Sequence, residues 1–394
     1  MGGCALDTLP IPAIMAGMSV HIGLNAHLLS GATGYRQAGI HGYIYHLLAS
    51  LPAADPDMRY TVMVGEGEPP EHPALAVRRS RWPTDRPMRR ILWEQLAQPF
   101  QLGAFDLVHE LAFVAPLLMS RPFVVTVYDL TFVRYPERLS SSRRLYLHAL
   151  TGLSCRRARR VLAISQSTAD DLVTLLHVPR ARIDLAIPGI DPRFCPLPAP
   201  EIARWRSAKG LPDRFLLFVG TLEPRKNLPV LLRAYAALPE ADRRAVPLVL
   251  AGGAGWMTDT IDQTIQDGNL ATTVHRVGFV PDSDLVWWYN AAEALVYPSV
   301  FEGWGMPVTE AMACGKPVLV SDVSSLPEAV GDAGCRLPPE SIPAWTEALQ
   351  RCLHDSDWRD ERGARALERA KQFTWQRTAQ QTIQSYYRAL AVQN

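Results

Sequence analysis

The chain has 394 residues, 48% of them apolar and 20% charged, with a formal net charge of +1. That length exceeds one compact core and implies two domains of about 200 residues each, while the balanced total charge does not imply a polyanionic partner. No run of 18 apolar residues provides a membrane-spanning helix, and the six cysteines (Cys4, Cys155, Cys195, Cys314, Cys335, Cys352) form no C-x-x-C pair, the pattern of reduced cytosolic thiols.

Residues 1–17 are apolar but carry Pro10 and Pro12 and no basic n-region, so they are expected to be a disordered extension and not a signal peptide, with Met18 an alternative start. Ser19–Leu24 reads as the first strand, followed by Gly31, Gly34, Gly39 and Gly42 and a helix over Tyr43–Leu51, the opening of a doubly wound domain. Tyr60–Val64 is a second strand, after which the pattern turns irregular. Arg78, Arg79, Arg81, Arg86, Arg89 and Arg90 are interleaved there with Trp82, Trp93 and Phe100. Such a stretch suits a nucleic-acid surface, a patch lying on anionic lipid, or simply a solvated loop and helix face. No nucleic-acid recognition motif accompanies it, so nucleic acid is not expected as a partner. Residues 1–195 hold 20 arginines, no lysine and 16 acids, a balance of +4, against −3 for the remainder.

Asp106–His109 and Phe123–Leu130 are the next strands, the second a continuous apolar run as two-sided burial in a parallel sheet demands. A helix over Ser140–Arg160, a strand at Val161–Ile164, a turn in which Ser165 or Ser167 caps the following helix, and a closing segment Ile183–Pro188 complete the first half. Pro192, Pro196, Pro198 and Pro200 predict a stiff, extended linker, which places the domains at 18–200 and 201–374.

The βα rhythm then restarts. Phe215–Val219 is a strand, and Gly220–Asn227 leads into a helix over Leu228–Leu238, with Arg225 and Lys226 beside the helix start; that is a phosphate signal or, alternatively, an ordinary surface helix start. Pro247–Gly253 and Val274–Val280 are further strands with their turns. Asp282–Ala292 is an amphipathic helix whose Trp287, Trp288 and Tyr289 read as core. Ala294–Ser299 is a buried strand; Gly303 and Gly305 make a loop around Trp304; Pro307 suits the first helical position, and the helix continues over Val308–Ala313 until Gly315 and Pro317 stop it. Unpaired N–H groups at such a helix start suit a phosphate. Glu302 and Glu310 border the same spot, and carboxylates there point to sugar hydroxyls, which donate hydrogen bonds where carboxylates only accept. Val318–Val320 is a strand, Ser341–Cys352 and Asp360–Gln372 are helices, and Trp375–Ala391, in a final segment 375–394, is an amphipathic helix.

Phe301-Glu-Gly-Trp-Gly-Met-Pro-Val-Thr-Glu310-Ala-Met-Ala-Cys-Gly-Lys-Pro-Val318, with Ser321–Ala333 after it, resembles the signature of the retaining glycosyltransferases of family 4, also called group 1. The resemblance implies two Rossmann-like α/β domains facing across a cleft, the GT-B fold, with the last helix crossing back onto the first domain. It implies an N-terminal acceptor domain, a C-terminal donor domain, and transfer of a hexose from a nucleoside diphosphate sugar, first of all mannose from GDP-mannose, to a saccharide acceptor; the basic, tryptophan-bearing first half then points to a polyprenyl-linked acceptor in bacterial surface polysaccharide assembly. The protein is then expected in the cytoplasm, peripheral at the inner face of the membrane.

By the same resemblance, Lys226 and Arg225 hold the donor pyrophosphate, Arg225 standing in for an arginine that is Thr221 here, after Gly220. Glu302 takes the sugar and Glu310 the ribose. The backbone of Gly303, Trp304, Gly305 and Met306 receives the phosphates, and Gly278, Phe279 and Val280 seat the base. Gly39 and Gly42 approach the donor from the other wall, and Tyr128 stands where the family places a histidine facing the reacting sugar. No metal or cofactor is expected. A sugar-nucleotide 2-epimerase and an inactive nucleotide-sugar-binding scaffold are the competing readings.

Overall fold

The central apolar runs become strands buried on both faces, the condition for parallel pairing with helices on either side of a sheet. The computed structural model describes residues 19–29, 39–82, 84, 87–135, 141–253, 255 and 259–392. The extension at 1–17, Met18, Cys4, Gly31, Gly34 and Arg86 lie outside the described residues, as do the side chains of Arg143 and Arg144.

In chain order the first half contains β1 (His21–Asn25), α1 (Ile40–Ala54), β2 (Arg59–Val64), β3 (Leu75–Arg79), α2 (Pro87–Leu96), β4 (Leu107–Glu110), β5 (Phe123–Val127), α3 (Thr131–Arg134), α4 (Ser141–Arg157), β6 (Arg160–Ala163), α5 (Gln166–Leu176) and β7 (Ile183–Leu185). The second half contains α6 (Ala199–Ala208), β8 (Leu216–Val219), α7 (Leu228–Ala236), α8 (Glu240–Ala245), β9 (Leu248–Ala251), α9 (Asp259–Asp267), β10 (Val274–Gly278), α10 (Leu285–Ala291), β11 (Ala294–Tyr297), α11 (Met306–Ala313), β12 (Val318–Ser321), α12 (Leu326–Val330), β13 (Cys335–Leu337), α13 (Ile342–His354), α14 (Ser356–Ala370) and α15 (Trp375–Ala391).

Among the described residues the strands form two sheets of parallel pairs, ordered β3-β2-β1-β4-β5-β6-β7 and β10-β9-β8-β11-β12-β13. In each, the chain winds outward one way and then the other. The reversal falls between β1 and β4 in the first sheet and between β8 and β11 in the second, and the crevice outside the carboxyl ends of the strands at such a reversal is where open α/β sheets take ligands.

The stretch after β2 is not irregular. Leu75 is buried and β3 pairs with β2 as the outer strand, but its exposed face and Arg78 and Arg79 hide the apolar signal. Its arginines are largely committed to the fold: Arg78 bonds the Gln101 carbonyl and lies over Phe105, and Arg79 pairs with Glu68. Trp93 is fully buried against His27, so the aromatics there are in part core and not a surface. The linker is likewise shorter than its prolines predicted: Pro200 lies in the first turn of α6, where a missing N–H costs nothing. Ser165, not Ser167, caps α5 through the Thr168 N–H.

Helix α15 crosses back. Trp375, Ala379, Ile383, Tyr386 and Ala389 are buried at three- and four-residue spacing, and the helix packs along α1. Tyr386 Oη meets His109 Nδ1 at 2.7 Å, and Gln381 Oε1 accepts from the Ile187 N–H at 3.1 Å.

Candidate functional site

The second reversal point is built by β11, a glycine loop and α11. Gly305 caps α11 with a φ of 94°, a left-handed conformation that glycine adopts without strain. A Cβ on Gly303 would run into the Tyr128 carbonyl, so only glycine lets this loop come up against the first half. With Pro307 in the first turn, the N–H groups at the start of α11 face a cleft of about 430 Å3 between the two sheets.

Four charged side chains meet on this wall. Glu302 Oε1 accepts from Lys226 Nζ at 2.7 Å and its Oε2 lies 2.6 Å from Arg225. Lys226 Nζ also donates to Tyr297 Oη at 2.6 Å, and Arg225 Nε donates to Glu223 Oε1 at 2.9 Å. The loop is tied down by the Glu302 N–H donating to Ser324 Oγ and the Ser325 hydroxyl donating to the Glu302 carbonyl, each at 3.0 Å. Burial alone would push the Glu302 carboxyl up, but the two cations outweigh it and hold it down at about 2. Burial also pulls Lys226 below the ordinary lysine range, and Glu302 only partly offsets that. Arg225, with Glu302 and Glu223 against it, stays cationic. The wall therefore offers a buried, pre-positioned pair of donors that share the Glu302 carboxylate, with Glu223 on Arg225 alone.

Glu310 is the opposite case. It is buried on α11, accepts from Tyr289 Oη at 2.7 Å and has no ion-pair partner among the described residues. Burial pushes its carboxyl up to about 7 in spite of the Tyr289 hydrogen bond. Arg193, Asp191 and Asp282 line the cleft near it, Arg193 being paired with Asp282.

Gly39, Gly42, Tyr128, Gly220, Thr221, Arg225, Lys226, Glu302, Gly303, Trp304, Gly305, Met306 and Glu310 all line this one cleft. One of them, Tyr128, is differently disposed from the sequence expectation, and Trp304 offers the cleft no ring. Tyr128 is buried and donates its hydroxyl to the Leu111 carbonyl at 2.7 Å, with its ring edge-on to Tyr43, so its polar atom is turned away from the cleft. The Trp304 ring is buried against Phe373. Gly278, Phe279 and Val280 do not line the cleft: β10 is the outer strand of its sheet, two strands from the reversal, and Phe279 is exposed. Sequence reasoning missed Glu223, Tyr297, Tyr289 and Arg193. Of these only Glu223, three residues before Lys226 in the same turn, had a local signal.

Two family models match the chain: one described as Glycosyl transferases group 1 over residues 201–372, and one described as Glycosyltransferase Family 4 over residues 38–194. The O-antigen chain mannosyltransferase B of Escherichia coli is 36% identical over 267 residues, covering 67% of this chain and 69% of that protein. In fold, the chain is similar to a sucrose-phosphate synthase from Thermosynechococcus elongatus, with a TM-score of 0.74 and 24% identity over 93% of this chain and 98% of that one. It is also similar to Anabaena HepE solved with UDP-glucose, with a TM-score of 0.71 and 20% identity over 93% and 99%.

Proposed function

The chain belongs to the group 1 (family 4) glycosyltransferases, with their GT-B fold, and from that premise we propose that it transfers a hexose from a nucleoside diphosphate sugar to a saccharide or lipid-linked saccharide in bacterial surface polysaccharide assembly. Mannose from GDP-mannose is the first donor to test, supported by the likeness to the O-antigen mannosyltransferase. The observation that carries the proposal is the meeting of Lys226 and Arg225 on Glu302, in a cleft faced by the start of α11.

In this reading the diphosphate docks on Lys226, Arg225 and the N–H groups of the glycine loop, which neutralise the charge that builds on the leaving group without a metal ion. Glu302 fixes the two cations and keeps lone pairs for a sugar hydroxyl, while Glu310 accepts from the ribose. With Glu302 locked between two cations and Tyr128 bonded to Leu111, neither is free to act as nucleophile or base. Transfer then proceeds with retention, the departing phosphate taking the acceptor proton on the face it leaves.

The acceptor is assigned to the first sheet, and a lipid-linked one has a surface to approach by. No helix among the described residues is long and apolar enough to cross a membrane. Met88, Leu92 and Leu96, however, lie exposed at four-residue spacing on α2, continued by Phe100 and, on a neighbouring loop, Leu117 and Leu118. Arg157 and Arg121 hold the loops beside them. An apolar stripe with a basic border suits the interface of an anionic bilayer at the cytoplasmic face.

Thermal-shift screening with GDP-mannose and other nucleotide sugars tests the donor, since a ligand of the native state raises its apparent stability. NMR of the anomeric product, with and without EDTA, tests retention and metal independence. Full transfer activity that disappears with EDTA, or an inverted product, sinks the corresponding part.

A further inference from the structure

The first sheet has its own reversal point, between β1 and β4, and it too holds a polar crevice. Asn25 ends β1, Glu110 ends β4, and just beyond them lies a cavity of about 60 Å3 lined by His27, Arg90, Glu94, Phe113 and Tyr146 among others. We infer that this crevice is the subsite that takes the hydroxyls of the saccharide acceptor, an inference that rests on the transferase reading above and gives it a location.

Three observations carry it. The first is a set of polar atoms waiting for partners. His27 is buried with its ring on Trp93 at 3.8 Å and its Nδ1 facing Thr84 Oγ1, while its Nε2 has no hydrogen-bond partner among the described residues. The Tyr146 hydroxyl is equally unpartnered, and Arg90 Nε sits 3.5 Å from Glu94 Oε1, longer than a hydrogen bond. Buried polar groups in native folds are almost always satisfied, so these call for a ligand or ordered water.

The second is the chemistry of the set. Arg90 is balanced by Glu94, and Glu110 stands behind, held by Asn25 and Gln98. An anion would meet two carboxyls and one cation, whereas a neutral polyol meets donors and acceptors in mixture. Burial pushes Glu94 up to about 7 against the pull of Arg90, so its carboxyl both donates and accepts near neutral pH. The volume, at about 10–15 Å3 for a single water, holds about four waters or the hydroxyl edge of one pyranose.

The third is its place. Phe113 has a φ of 49°, a strained conformation for a bulky residue, and this puts its ring 5.6 Å from that of Tyr128. Phe113 lines the crevice and Tyr128 lines the donor cleft, so one pair of rings separates the two. Helix α2 turns Arg90, Ile91 and Glu94 to the crevice and Leu92 and Leu96 outward, so a sugar bound here lies just inside the exposed apolar stripe.

Saturation-transfer NMR with methyl α-D-mannopyranoside, on wild type, Tyr146→Phe and Glu94→Gln, tests this, with the thermal shift given by GDP and UDP measured on the same samples. Tyr146→Phe removes one oxygen and Glu94→Gln keeps the side chain's shape, and both are checked for an unchanged melting transition without ligand. The expected result is saturable binding to wild type that weakens at least about fivefold in each variant, with the nucleotide shift retained. Equal sugar binding in all three proteins, or none to wild type, with water filling the crevice, overturns the proposal. Sugar binding lost in the variants, with no nucleotide shift in wild type, leaves the subsite standing and brings down the transferase reading instead.

Discussion

The two reversal points carry similar residue types and treat them in opposite ways. In the second sheet Glu302 is met by Lys226 and Arg225 and stays ionised, held at about 2. In the first, burial pushes Glu110 up to about 8 against hydrogen bonds from Asn25 and Gln98, and burial with Arg90 pushes His27 down to about 3, so both are neutral at physiological pH. A buried charge survives only where a counter-charge is supplied; otherwise the group gives up or takes a proton. The difference matches the partners assigned to each: a diphosphate needs fixed cations, and a saccharide needs neutral donors and acceptors.

Removing the counter-charge should produce the largest break in that contrast. Glu302→Gln leaves Lys226 and Arg225 buried together with only Glu223 against them, and loss of one partner from such a group costs about 3–5 kcal/mol. A urea transition at pH 7 should shift by that amount with its slope unchanged; a variant as stable as wild type would show that the pairing contributes nothing. The wild-type curve carries the same signature. A carboxyl lowered from 4.5 to about 2 gives stability that is present above about pH 4.5 and is lost as pH falls through 2.

Lys226→Ala cuts the other way, leaving Glu302 still paired with Arg225. Stability should fall less than in Glu302→Gln, but the rate of sugar transfer should drop 100- to 1000-fold, about 3–4 kcal/mol, as for loss of one preorganised donor to a developing anion. Retention of more than a tenth of the wild-type kcat/KM would remove Lys226 from the leaving-group clamp.

Glu310 tests whether an acid on the charged wall with a hydrogen bond but no ion pair among the described residues behaves like those of the first sheet. Its carboxyl is raised from 4.5 to about 7, so the folded state binds the extra proton and stability declines as pH rises between those values. Glu310→Gln should match wild type near pH 4 and exceed it by on the order of 3 kcal/mol at pH 8. The nucleotide-induced thermal shift should shrink in the same variant. A pH-independent difference in stability would mean that Glu310 titrates normally.

What the sequence made legible follows from how local each feature is. Helix α15 runs over Trp375–Ala391 as expected because its buried positions recur along one segment. The loop and helix from Gly303 to Ala313 were readable for the same reason, with two glycines and a proline at fixed offsets. Lys226 and Arg225 were legible as a pair, but their joint hold on Glu302 spans about 76 residues and no spacing encodes it. The first-sheet crevice was less accessible still: His27, Glu94, Phe113 and Tyr146 come from separate elements, β3 was hidden by arginines on its exposed face, and α2 turns apolar residues outward and Arg90 and Glu94 inward, the reverse of the usual pattern. Local pattern shows elements; cavities arise from packing between them.

Tyr128 gives the smallest effect and the sharpest decision, because it sits between the two polar centres. If its hydroxyl served the reacting sugar, removing it would slow transfer by the 100-fold or more that general acid–base groups supply. The structure instead has that hydroxyl donating to the Leu111 carbonyl, with burial raising it far above the range in which a phenol ionises. Tyr128→Phe should therefore lose about 1 kcal/mol of stability, the worth of one buried hydrogen bond, and keep kcat within about threefold. A large fall in kcat at an unchanged melting temperature would reverse that assignment and make the ring pair of Tyr128 and Phe113 part of the chemistry; the opposite split, stability lost and rate kept, fixes it as the partition between a charged donor site and a neutral acceptor site.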